Sequence, residues 1–129
     1  MSTLNVANVT DGTTSVPTGY VVNGSAKVIV KYNASGAIQG TSMNVSSVTD
    51  SATGRLSPQF SSSFSNANYV FLATASDTLG GSNKAMIVNQ DYGGTVSASE
   101  TRTGIVSGDN ANTYSDPEFC SVSLFGSLA

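Results

Sequence analysis

The sequence predicts an all-β fold: an antiparallel β-sandwich of jelly-roll type, preceded by an extended N-terminal arm. Three observations carry this expectation. From Met43 to Asp77, apolar and polar residues alternate in three successive runs separated by turns, the period-two signature of half-buried strands. Charged residues make up only 10% of the chain, and no segment sustains the 3.6-residue period of an amphipathic helix. Ser, Thr, Gly and Asn are abundant, which suits many short turns. A chain of 129 residues buries roughly two-thirds of its unfolded surface, enough for one core.

Residues 1–25 read as an arm and residues 26–129 as the sandwich body. In LNVANVT, the residues Leu4, Val6 and Val9 alternate weakly, and a Gly/Thr/Pro stretch follows. The arm has too few apolar residues to form a core. It is expected to be an extended strand, with no partner in its own segment, that pairs with or lies on another chain. Val16 and Pro17 stiffen its exit, and Gly19 and Gly24 let the chain turn into the body.

The body offers seven candidate strands. Lys27–Tyr32 places Val28, Val30 and Tyr32 on one face, and Met43–Thr49 places Met43 and Val45 with Ser47. Arg55–Phe60 places Leu56 and Phe60 together, with Pro58 between them as the mark of an edge strand or bulge. Asn68–Ser76 is the most apolar, so Tyr69 and Phe71 are expected to be largely buried and both faces covered. Lys84–Asn89 and Thr95–Thr101 follow, separated by the turn QDYGG. In the last, Glu118–Phe125, Cys120, Val122 and Leu124 share one face. No helix in the body should exceed about two turns. Several strands carry Ser, Thr or Ala on both faces, so the core of one chain is thin and subunit contacts are expected to supply burial.

From about Ala26 to the last residue, the wording resembles a small β module of virion proteins from tailed bacteriophages, many of them infecting marine bacteria. Its members read as a strand, a short NxSGxx turn, the run NVSS[IV]TD, a Gly turn, a strand ending in Phe, an Ala-Asn-Tyr strand and a closing FGxLA. Here these are KVIVKYNASGAIQGTSMNVSSVTD, SATGR, LSPQF, NANYVFLATASD and SVSLFGSLA. The resemblance implies a non-enzymatic structural protein of the virion, assembled in the host cytoplasm. Its job would be capsid decoration or cement, or a short head fibre, with three copies as the expected oligomer. Its partners would be further copies of itself and the major capsid protein or another virion protein. The alternative is a tail-fibre or receptor-binding module recognising a bacterial surface glycan.

The residues themselves limit the chemistry. The net charge is −3, and Lys27, Lys31, Arg55, Lys84 and Arg102 are scattered, so no phosphate-tracking surface and no nucleic-acid partner is expected. No apolar run approaches about 18 residues, so no membrane-spanning segment is expected. The N-terminus lacks the basic start and apolar stretch of a signal peptide. There is no histidine, and Cys120 reads as a small core residue rather than a nucleophile. No Walker, dinucleotide or GxSxG pattern occurs, and no cofactor is expected.

Asp109 with Asp116 and Glu118 forms the nearest carboxylate cluster, and Asp50, Asp77, Asp91 and Glu100 stand apart; all read as turn formers rather than as a catalytic pair. Asp109, Asn110, Asn112 and Asp116 could supply part of a calcium shell but lack an EF-hand pattern, so no metal is expected. The N-x-[ST] triplets at Asn8, Asn23, Asn33 and Asn44 read as turns. Tyr92 and Tyr114, both in loops, are the candidate receptor contacts, against the plainer reading that each packs over the sandwich end.

Overall fold

Three strands form the first sheet of the body because their inward residues match across two ladders. The computed structural model describes residues 5–76, 86–90, 96–108 and 113–129. In it, β3 (Val28–Asn33), β9 (Phe119–Phe125) and β6 (Val70–Ser76) lie in the order β3-β9-β6, all antiparallel. The register sets Val28, Leu124 and Phe71 in one row, Val30, Val122 and Ala73 in the next, and Tyr32, Cys120 and Ala75 in a third. These rows face inward, and the β3 and β9 members are buried. The alternate positions, among them Ile29, Lys31, Ser121, Ser123, Leu72 and Thr74, form the outer face.

The second sheet has the order β4-β5-β8-β7, from β4 (Val45–Ala52), β5 (Arg55–Phe60), β8 (Thr103–Ser107) and β7 (Met86–Gln90). It contributes Leu56, Phe60 and Ile105 to the same core. The two layers are stitched by polar groups as well. The Tyr32 hydroxyl lies 2.9 Å from Thr103 Oγ1, which in turn donates to the Leu56 carbonyl at 2.9 Å. Because Thr103 donates to Leu56, Tyr32 must be the donor to Thr103, so both buried hydroxyls are satisfied. One end of the sandwich is closed by Phe60, Phe64 and Tyr69. Phe60 meets Phe64 edge-on at 5.3 Å between ring centroids, and Phe64 lies 4.8 Å from Tyr69. The Tyr69 hydroxyl donates to the Glu100 carbonyl.

The turns explain several polar residues. Asn33 Oδ1 accepts from the backbone N–H groups of Ser35 and Ala37, which folds NASGA back on itself. Asn44 adopts φ +56 and clamps a neighbouring loop, donating to Ser62 O while its Oδ1 accepts from Ser62 N. Asn44 is therefore a turn residue as expected and Asn33, the last residue of β3, holds the turn that follows it, whereas Asn8 and Asn23 belong to β1 and α1 and hold no such turn in the described bonds. At the β4–β5 turn, Gly54 adopts φ +64, and a Cβ there would lie 2.6 Å from Ile105 O and 2.8 Å from Ser115 N.

The all-β sandwich expectation holds, with four differences in detail. The segment 96–100 is not a strand. Ser97 Oγ accepts from the N–H groups of Ser99 and Glu100, a local arrangement that competes with a ladder. The strand is β8 instead, whose Gly104 interrupts the alternation but packs inside with Ile105. Secondly, β5 is not an edge strand. The irregularity at Pro58 lies on its β8 side, where the ladder covers only Arg55 and Leu56 before giving way to single bonds such as Phe60 N to Ser99 O. The N–H that proline lacks points to that broken side. Thirdly, Tyr69 is 8% exposed as expected, but Phe71 is only half-buried. β6 ends the sheet, and its other face is open, with Val70 60% and Leu72 56% exposed.

The fourth difference is the arm. It is no lone extended strand: β1 (Asn8–Thr10) pairs with β2 (Ser15–Pro17) in its own segment, setting Val9 opposite Val16. A short helix, α1 (Thr18–Gly24), follows.

Candidate functional site

The arm is built from its turn outward. Asp11 Oδ1 accepts from the N–H groups of Thr13 at 3.0 Å and Thr14 at 2.8 Å, and Gly12 takes φ +95. The Thr14 and then the Thr13 bond hold the Asp11 carboxyl below the usual carboxylate range, so this turn carries a fixed negative charge at neutral pH. Thr18 N donates to Ala7 O at 2.8 Å, which seats the start of α1 across β1. Pro17, with φ −55, precedes the helix, where a missing N–H costs nothing. At the other end the Lys27 ammonium donates to Val22 O, Ser25 O and Ser25 Oγ, closing the helix with a cation against its last carbonyls. Lys27 N also donates to Leu124 O at 2.7 Å, so one residue joins the arm to β9.

Residues 5–25 of the arm contain no buried residue. Val6, Val9, Val16, Tyr20, Val21 and Val22 are all exposed, Tyr20 by 74%. Asp11 is the one charged residue from 5 to 25. Val9, Val16 and Val21 line one open groove together with Thr10, Thr14 and Asp11. A two-stranded hairpin with a two-turn helix is marginal alone in water, and an apolar surface of this kind favours a partner. Of the candidate attachment residues, Val6 and Val9 are exposed, and Leu4 lies outside the described residues. Sequence reasoning passed over Val16 as a strand residue and Tyr20, Val21 and Val22 as exposed apolar groups. The signal was present in the Asp-Gly pair at 11–12 between apolar residues, a hairpin mark, and in the run YVV.

Of the candidate receptor contacts, Tyr92 lies outside the described residues. Tyr114 is half-buried, bridges to Val106, and has the Arg55 guanidinium 4.2 Å from its ring centroid. That ring face is already occupied by a cation, as in the plainer reading of a tyrosine packed at the sandwich end. Among the carboxylates, Asp116 Oδ1 accepts from Gly54 N at 2.6 Å and so serves the β4–β5 turn. Asp77, Asp91, Asp109, Asn110 and Asn112 lie outside the described residues. Among the described residues no three His, Cys, Asp or Glu side chains gather as a metal group, and no helix is long and apolar enough to cross a membrane.

Cys120 is fully buried beside Tyr32. Burial first, offset by a hydrogen bond with Tyr32, pushes its thiol from 9.0 up to about 11. A thiol so held is a core residue and not an activated nucleophile. The folded state keeps this proton where the unfolded chain loses it, so stability should be level below about pH 9 and fall as the pH rises toward 11. The loss is expected to be on the order of 2 kcal/mol. Burial raises the Tyr32 hydroxyl as well, and its effect has the same sign above its ordinary value of 10.0. Urea midpoints at pH 8 and pH 10.5 check this. A Cys120→Val variant with the same pH dependence as the parent would show that the thiol is not responsible.

No protein-family model, curated protein or solved structure matches this chain.

Proposed function

We propose that this chain is a non-enzymatic structural protein of a tailed-phage virion, held on the particle through its N-terminal hairpin and helix. The observation that carries the reading is the arm: a nearly uncharged element whose described apolar residues are all exposed, beside a body that has its own core. An element of that kind is suited to docking on another chain, since burial of Val6, Val9 and their neighbours is favourable at roughly 25 cal/mol per Å². The resemblance of residues 26–129 to virion β modules supports the particle as the setting. The absence of histidine, and a cysteine kept neutral in the core, suit a structural task.

The role within the virion is capsid decoration or cement, or a short head fibre, with the chain self-associating and three copies the expected number. Quantitative mass spectrometry of purified particles tests this. Hundreds of copies per particle are expected for a decoration protein and a few tens for a fibre. A chain absent from washed particles is not a virion protein.

A further inference from the structure

Two apolar surfaces of this chain lie open, and they match. The first is the arm groove lined by Val9, Val16 and Val21, with Asp11 as its charge. The second is the outer face of the β3-β9-β6 sheet, where Ile29, Val70 and Leu72 are exposed. The register aligns Ile29, Ser123 and Leu72 in one row and Lys31, Ser121 and Thr74 in the next. Lys31, seated 4.1 Å over the Phe119 ring, is the one charged residue among the strand positions of that face. The surrounding Ser and Thr residues are small and leave a shallow depression along Leu72, Thr74, Ser121 and Ser123.

We propose that the hairpin and helix of one copy pack on the outer face of the β3-β9-β6 sheet of a second copy, head to tail. This rests on the reading of the arm as the docking element: off the particle a second copy covers the arm, and on the particle the virion surface takes that copy's place. Charge decides among the possible pairings of the two surfaces. Arm against arm offers Asp11 only Lys27, whose ammonium is already held by Val22 O, Ser25 O and Ser25 Oγ, and face against face sets Lys31 near Lys31. Arm against face joins the two apolar patches and pairs the one fixed anion with the one cation. Size agrees. Strands of three residues span about 10 Å, and a three-stranded face of six- and seven-residue strands is about 20 Å long. Within one copy the two surfaces do not meet, because Lys27 ties α1 to the start of β3 and leaves both exposed. Each copy thus offers one arm and one vacant face. Such a heterologous contact repeats until rotation closes a ring.

The test uses the full-length chain purified at micromolar concentration and two variants at exposed positions, Val9→Asp and Leu72→Asp. Sedimentation should show the parent as a closed oligomer, and each variant alone as the single 13.1-kDa chain with an unchanged circular dichroism spectrum. An equimolar mixture of the two variants should form a 1:1 dimer, because the intact arm of Leu72→Asp still finds the intact face of Val9→Asp. A parent that sediments as a single chain overturns the proposal. So does a Leu72→Asp variant that keeps the parent's oligomer, which would mean that arms associate with arms. A mixture that stays monomeric also overturns it. Presence on virions is measured separately, so this inference can fail while the virion reading stands.

Discussion

Gly54→Ala is expected to destabilise the protein by about 3 kcal/mol or more. Gly54 adopts φ +64, where any side chain is strained by about 1–2 kcal/mol. The new Cβ would also lie 2.6 Å from Ile105 O and 2.9 Å from Ser115 O. Those are backbone atoms fixed by their own bonds: Ile105 N donates to Gly54 O, and Ser115 N donates to Ile105 O. Relief therefore requires the β4–β5 turn to leave β8, at a further cost of about 1–3 kcal/mol. Gly40→Ala is the control. Its φ is +77, but nothing lies within 4 Å of the added carbon, so only the conformational part should appear. Equal losses for the two variants in urea titration would show that the Gly54 contact is not tight.

Phe64→Ala should cost about 3–5 kcal/mol, the range for emptying a core aromatic site. The ring is 2% exposed, meets Phe60 edge-on, and fills the space where a Cβ on Gly126 would lie 3.1 Å away. Phe71→Ala should cost less than about 2 kcal/mol, because Phe71 is half-buried on an end strand and solvent can refill part of the site. The reverse order of the two losses would mean that the core is centred on β6.

That pair also shows how far the sequence could be read. The alternation in KVIVKY and in FCSVSLF placed Val28, Val30, Tyr32, Cys120, Val122 and Leu124 correctly, because β-strand periodicity reports directly on which face is buried. NYVFLA misled, because an apolar run has the same appearance whether a strand is central or ends a sheet. β6 is hydrogen-bonded to β9 alone in its sheet, and no described residue covers its outer face, so Val70 and Leu72 stay in water. TGIVS was missed because Gly104 breaks the pattern of a strand that packs through its backbone as well as through Ile105. Phe64 and Thr103 belong to the core by tertiary position, one from a Ser-rich loop and one as a buried hydroxyl, and neither has a local signature. In the arm, Val6 and Val9 were legible as surface apolar residues. Their partner strand was not recognised, although Asp-Gly followed by Thr-Thr is the chemistry of a tight turn.

The arm is also where the central claim is most directly tested. Among the described residues, the buried core lies between Val28 and Leu124 and none of residues 5–25 is buried, so a chain lacking residues 1–25 should remain a folded β body. The measurement is the occupancy of stripped particles by this shortened chain, compared with the full chain at equal concentration. The account predicts full occupancy for the intact chain and near-complete loss for the shortened one. If the shortened chain still occupies particles fully, attachment lies on the sandwich and the arm is not the docking element.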